Sequence, residues 1–189
     1  MQKIEPFIPG AYYHIYNRGI NSCNLFEKEE NYYYFLNLYE RYIEPIADTY
    51  AWVLMPNHFH LLLRIREKEN NAKPVHQYFS NLFNAYSKAF NKFYERHGAL
   101  FERPFKRKII DNPGYYKQLV IYIHQNPVHH GFCAHPIEYG RSSYLTCISS
   151  KPTNLKRDEV INWFNCKEGF KEDHKQKLET ADLNNWLEI

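Results

Sequence analysis

No apolar run in the 189 residues approaches the roughly 18 needed to span a bilayer, and Met1 to Gly10 has no apolar signal core. Both absences make a cytoplasmic protein without a membrane the expectation. Cys23, Cys133, Cys147 and Cys166 form no Cys-x-x-Cys pair, which argues against a thiolate zinc site and fits reduced, structural thiols. There is no internal repeat and no low-complexity tract. What is plentiful is aromatic: 17 Tyr and 13 Phe, side chains that pack cores and also stack on unpaired bases. A hydrophobic content of 44% with 24% charged residues is that of a globular chain, long enough for one domain of ordinary size. The expected division is a main domain over 1–150 and a charged C-terminal helical extension over 151–189.

The net charge of +3 is small but unevenly placed. Residues 151–189 hold 7 Lys/Arg against 8 Asp/Glu, net −1, which leaves the first 150 residues at net +4. Lys88, Lys92, Arg96, Arg103, Lys106, Arg107 and Lys108 face only Glu95 and Glu102 within one short span. A phosphate backbone favours such a local excess, although mixed charge runs more often form a solvated face.

The stretch with most chemical content is Met55-Pro56-Asn57-His58-Phe59-His60-Leu61-Leu62-Leu63-Arg64-Ile65-Arg66. After the turn-prone Pro56-Asn57, alternation along a strand puts His58, His60, Leu62, Arg64 and Arg66 on one face and Phe59, Leu61, Leu63 and Ile65 on the other. Two imidazoles two residues apart can converge on one cation, and the arginines could receive a polyanion. Taken alone, the pair is about as well explained by hydrogen-bonded strand histidines.

Around it the chain reads as strand, helix, hairpin, helix, strand, helix. Ala11 to Asn17 is aromatic and β-prone before Arg18-Gly19. Glu29 to Ile43 has helical spacing and stops before Pro45, and Tyr50 to Met55 forms a hairpin with the histidine strand. Glu67 to Pro74 is a loop. A long apolar stripe from Val75 to Tyr94 predicts a helix stopped by Gly98, and Phe105 to Ile110 a fourth strand. Asp111-Asn112-Pro113 begins a helix that Pro127 closes, with Tyr115, Gln118, Tyr122 and Asn126 along one stripe. Phe132 to Leu145 is irregular. Short helices are expected around Asp158 to Phe164 and Lys175 to Leu187. This order predicts an α+β fold, an antiparallel sheet covered by helices.

A hydroxyl on that last stripe facing a two-histidine metal site has a use. A phenol is a poor nucleophile at neutral pH, but a metal holding the phosphate lowers the barrier to its attack on phosphorus. The phosphotyrosine so formed keeps the energy of the broken phosphodiester, so a strand can be cut and rejoined without ATP.

Four segments carry a resemblance: Gly10-Ala11-Tyr12-Tyr13-His14-Ile15-Tyr16-Asn17-Arg18-Gly19, Met55 to Leu63, Leu100-Phe101-Glu102-Arg103-Pro104-Phe105-Lys106, and Tyr122-Ile123-His124-Gln125-Asn126-Pro127-Val128. Over most of residues 10–145 the chain resembles the REP-associated tyrosine transposases, single-tyrosine members of the HUH superfamily. The resemblance implies a ferredoxin-like sheet, His58 and His60 as ligands of Mg²⁺ or Mn²⁺, and Asn126 as third ligand or orienting group. It implies Tyr122 as the nucleophile that joins the 5′ phosphate of single-stranded DNA containing palindromic hairpins. Both a monomer and a homodimer agree with it. His129-His130-Gly131 stands where relatives commonly have Arg-Ala, and Arg141 where they have Trp.

Arg64, Arg66, Arg103, Lys106, Arg107 and Lys108 are the expected DNA-backbone contacts. Other readings of the same residues stay open. Tyr115 is a rival nucleophile, Tyr122 could be one more core aromatic, Asn126 could serve only the helix end, and His14 could approach the site or be a satisfied sheet residue. At the level of function, the alternatives are a domesticated protein that holds palindromic DNA without cutting it, a hydrolase using water, and a structural His-x-His site.

Overall fold

The hairpin and the two flanking strands assemble as anticipated. In the computed structural model, which describes residues 6–67 and 73–176, strands β1 (Tyr12–Arg18), β2 (Ala47–Leu54), β3 (His58–Ile65) and β4 (Lys106–Ile110) form one antiparallel sheet in the order β2-β3-β1-β4. Interleaved with helices α1 (Glu29–Tyr42) and α2 (Val75–Phe93), this is the ferredoxin-like order. The tight turn between β2 and β3 is closed by Met55 N–H donating to the His58 carbonyl.

Strand alternation then sorts the residues into two layers. Ile15, Phe59, Leu61, Leu63 and Ile65 pack against α1 and α2 through Phe35, Leu38, Phe79, Leu82 and Phe83. On the other face, Val53, Leu62 and Ile110 meet Leu119, Val120 and Ile123 of α3 (Gly114–His129). A register shift between Thr49 and Ala51 in β2 puts Tyr50 and Ala51 together in this second layer. The sheet is therefore covered on both sides, and the histidine face is roofed by a helix.

Helix α3 differs from its expected extent. Asn112 Oδ1 accepts from Gly114 N–H at its start, as anticipated, but the helix passes through Pro127 and ends at His129. Proline leaves the Ile123 carbonyl without its helical donor and does not stop the next turn. The stop is Gly131, at φ 74°, with Phe132 N–H bonded to the Pro127 carbonyl and Gly131 N–H to that of Val128. That is a glycine-terminated C-cap. Similarly α2 ends at Phe93, before Gly98, and the stretch 132–145 contains a 3-10 turn at Pro136–Glu138 before α4 (Tyr144–Ile148).

The C-terminal part holds α3 from behind. Helix α5 (Arg157–Trp163) lies where sequence spacing placed it, and most of the helix expected over Lys175 to Leu187 falls outside the described residues. Helix α6 (Lys167–Lys175) was not anticipated, because only Phe170 and His174 are buried along an otherwise charged segment. Those two suffice through an ordered chain of hydrogen bonds. His174 Nδ1 donates to the Phe170 carbonyl, so its Nε2 accepts from His124 Nδ1, 2.9 Å away. His124 Nε2 in turn accepts from the Ser143 hydroxyl at 2.7 Å, and Ser143 Oγ accepts from Trp52 N–H in β2. Gln125 Nε2 adds bonds to the carbonyls of His174 and Gln176.

Burial of these imidazoles fixes a pH dependence. Desolvation holds His174 down to about 4 and His124 well below the usual histidine value, so both are neutral in the folded protein and take up protons on unfolding below pH 6.5. Folding stability should be complete above pH 6.5 and fall as pH drops toward 4, each histidine costing about 1.4 kcal/mol per pH unit. Thermal melts at pH 7.5, 6 and 5 check this; a melting temperature independent of pH over that range would refute it.

Candidate active site

Strand parity selects which side chains share the space beneath α3. Because Tyr16 pairs with His60, Arg18 with His58 and Lys106 with Tyr16, the residues His14, Tyr16 and Arg18 of β1, His58 and His60 of β3, and Lys106 and Lys108 of β4 project to one face. At its open end lies a cleft of about 720 Å³ lined by Tyr16, Arg18, His58, His60, Lys106 and Tyr122, among others, with Asn126 and His130 on its α3 side. A helix repeat of 3.6 places Tyr122, Asn126 and His130 in line along α3.

The ring centroids of His58 and His60 are 5.3 Å apart, and that of Tyr122 lies 5.5 Å from His60, edge to face. Tyr122 is 6% exposed. Burial pushes its phenol up to about 12, a rise that the Asn126 side chain opposes by hydrogen bonding to it. The Asn126 Oδ1 faces His58 Nε2 at 2.8 Å.

This contact suits a cation. His58 Nδ1 lies 2.7 Å from Asn57 Oδ1, so both ring nitrogens face amide oxygens. Desolvation lowers the His58 pKa, and a neutral imidazole has only one N–H to give. With that proton on Nε2 it is donated to Asn126 Oδ1, a bond that opposes the lowering of the pKa. With it toward Asn57, the lone pairs of His58 Nε2 and Asn126 Oδ1 face each other as two ligands of one cation would. Their 2.8 Å spacing is close to the roughly 3 Å between neighbouring ligands of an octahedral ion with bonds of 2.0–2.1 Å. Among the described residues no group of three or more His, Cys, Asp or Glu gathers to hold a metal. Two imidazoles and one amide would leave half the positions of such an ion to other oxygens.

The sequence-predicted residues divide. His58, His60, Tyr122, Asn126 and Lys106 come together at the cleft. Tyr115 lies two turns before Tyr122, about 10 Å along the helix, and does not line it. Arg64 is four residues beyond His60, about 13 Å along the strand, with its guanidinium on the Gly10 carbonyl and Glu67. Arg66 pairs with Asp48. Arg107 lies on the opposite face, over the Phe7 ring at 4.3 Å. It lines, with Arg103, a second and more apolar cleft of about 830 Å³ between α2 and the loop before β4.

Sequence reasoning missed Tyr16, Arg18, Glu102 and His130 as members of the site. Arg18 Nε donates to Glu102 Oε1 at 2.6 Å, and the His130 ring stands 5.0 Å from that of His58. Parity along Tyr12–Arg18 could have found the first two, had the pairing of β1 with β3 been known. His130 needed the helix to continue past Pro127.

No protein-family model matches the sequence, and no curated protein does. Among solved structures, the fold is shared with a REP-associated tyrosine transposase bound to a REP hairpin, at a TM-score of 0.60 and 19% identity, covering 80% of this chain and 89% of that one. No helix among the described residues is long and apolar enough to cross a membrane.

Replacing Asn126 by Ala removes a side chain that opposes the rise in the Tyr122 pKa, so Tyr122 should ionise at still higher pH than in the unaltered protein. A ¹³Cζ tyrosine NMR titration reads this directly; an unchanged or lowered midpoint would remove Asn126 as an influence on the phenol.

Proposed function

We propose that the chain is a divalent-metal-dependent DNA strand-transferase that nicks and rejoins single-stranded, hairpin-containing DNA through Tyr122. The observation that carries the reading is one open cleft lined by His58, His60, Tyr122 and Asn126, with Asn126 Oδ1 2.8 Å from His58 Nε2. The likeness in fold to a transposase solved with a hairpin agrees with it.

In this reading His58, His60 and Asn126 hold Mg²⁺ or Mn²⁺, which when bound neutralises charge on the scissile phosphate. Tyr122 Oη attacks phosphorus, a new phenolic P–O bond forms, and the bond to the 3′ oxygen breaks. The phenol loses its proton to water, and the departing 3′ oxygen takes one up. The 5′ end stays on Tyr122 until another 3′ hydroxyl reverses the step. With the phenol raised to about 12, it is protonated at neutral pH, so the rate of adduct formation should climb with pH through the neutral range.

The basic residues take the phosphate backbone. Lys106 and Arg18 line the cleft itself, with Lys108 along the same strand face, and Arg103 borders the neighbouring groove. Arg64 and Arg66 stand further out, each already paired with a carboxylate, Glu67 and Asp48. Lys106→Ala should weaken hairpin binding and lower the slope of log affinity against log salt by about 1. An unchanged slope would remove Lys106 from the contact.

A second reading, DNA binding without cleavage, draws on the burial and raised pKa of Tyr122. One experiment separates them. With Mn²⁺ and a labelled hairpin, the unaltered chain should leave a covalent adduct on a denaturing gel. Tyr122→Phe should bind with similar affinity and leave none. Binding without any adduct from the unaltered chain supports the second reading, and normal cleavage by Tyr122→Phe supports attack by water.

A further inference from the structure

We propose that His14, on the strand next to His60, is a positioning residue: its ring accepts the Nδ1 proton of His60 and so leaves the His60 Nε2 lone pair for a divalent cation. The proposal rests on the reading of His58 and His60 as cation ligands and adds a residue that does not itself touch the ion.

His14 is wholly buried, and its ring lies nearly parallel to that of His60, planes 14° apart and centroids 5.1 Å. The contact between them is a single one, His14 Nε2 to His60 Nδ1 at 2.9 Å. The far nitrogen of His14, Nδ1, is buried without a hydrogen-bond partner. Above the ordinary histidine pKa of about 6.5 both rings are neutral. Two neutral imidazoles in this arrangement share one proton across the contact, in one of two ways.

If His14 Nε2 carries it, His60 Nδ1 is the acceptor and His60 Nε2 must bear the other proton, which closes that nitrogen to a metal. If His60 Nδ1 carries it, the His60 Nε2 lone pair is open and His14 Nε2 accepts. Cation binding selects the second arrangement. There the His60 Nδ1–H is buried under α3, and His14 Nε2 is the acceptor the structure provides. A ligating histidine whose other N–H has a fixed acceptor is the general form of a supported metal site, and loss of such support costs about 10- to 100-fold in metal affinity.

In that arrangement the proton of His14 sits on Nδ1, a buried nitrogen without a hydrogen-bond partner, so the bond to His60 is the one its ring makes and the cost of the other nitrogen goes with it. A histidine placed here only to satisfy hydrogen bonds would not leave a buried nitrogen unpartnered, and one placed only to fill space would be replaceable by an apolar side chain. What the site uses is one acceptor at the reach of Nε2. Glutamine carries a carbonyl oxygen at a similar reach, whereas leucine carries the bulk without the acceptor.

The test is Mn²⁺ binding to the full chain without DNA, followed by electron paramagnetic resonance, with melting temperatures to show that each variant folds. His14→Leu should weaken binding about 10- to 100-fold, and His14→Gln should restore most of it. In a His60→Ala background His14→Leu should have no further effect. In the Mg²⁺-loaded protein a slowly exchanging ring N–H of His60 should be visible by NMR with His or Gln at position 14 and lost with Leu. Full affinity in His14→Leu, or better binding by the Leu variant than the Gln variant, overturns the proposal while leaving the metal site in place. Binding that is absent from the unaltered chain, or unaffected by His58→Ala and His60→Ala, overturns the metal reading itself and this proposal with it.

Discussion

The arrangement depends on placing imidazoles in a layer from which water is excluded. Helix α3 roofs the sheet through Leu119, Val120 and Ile123, and in doing so covers His14 and His60 and carries His124 into the same interior. A buried neutral histidine must find one donor and one acceptor or lose the hydrogen bonds it made to water. The structure meets that demand in full for His124, through His174 and Ser143, and in part for His14, which pairs with His60 through one nitrogen only. Each pair orients a ring beneath or behind α3.

The two pairs have different consequences. On the far side of α3, the chain from Trp52 through Ser143, His124 and His174 to the Phe170 carbonyl has every proton assigned by its ends. It ties the second layer of helices to the helix that carries Tyr122. On the near side, His58 faces two amide oxygens with one proton to give, and His14 has a nitrogen with no partner. One cluster is complete and rigidifying, and the other is short of partners beside an open cleft. Incompletely satisfied polar groups are costly, and the one such atom among the described residues lies on the ring that supports His60 at the cleft.

Two departures from the resembling family acquire a place in the fold. Arg141 forms an ion pair with Glu29 at the start of α1 and lies over the Tyr32 ring at 4.9 Å. It thereby fastens the segment entering α4 to the opposite helical layer. His130, one residue past α3, stands beside His58 at the cleft, so the change in that dipeptide reaches the site's edge.

The His-x-His strand, its hairpin turn, the fourth strand and the alignment of Tyr122 with Asn126 were all legible in the sequence, because each follows from a period of 2 or 3.6 within one segment. The end of α3 was misread at Pro127 because a local rule for proline outweighed the glycine signal four residues later. Helix α6 went unseen because a face of only Phe170 and His174 is visible as a face once His124 stands opposite. What the chain determined by itself was the kind of element and which side chains share a face, since backbone geometry acts over neighbouring residues. Only the tertiary structure decided that Tyr16, Arg18 and His130 join the cleft while Arg64, Arg66 and Arg107 point elsewhere, because that depends on strand register and on which face α3 covers, and both are set by contacts between residues far apart in the chain.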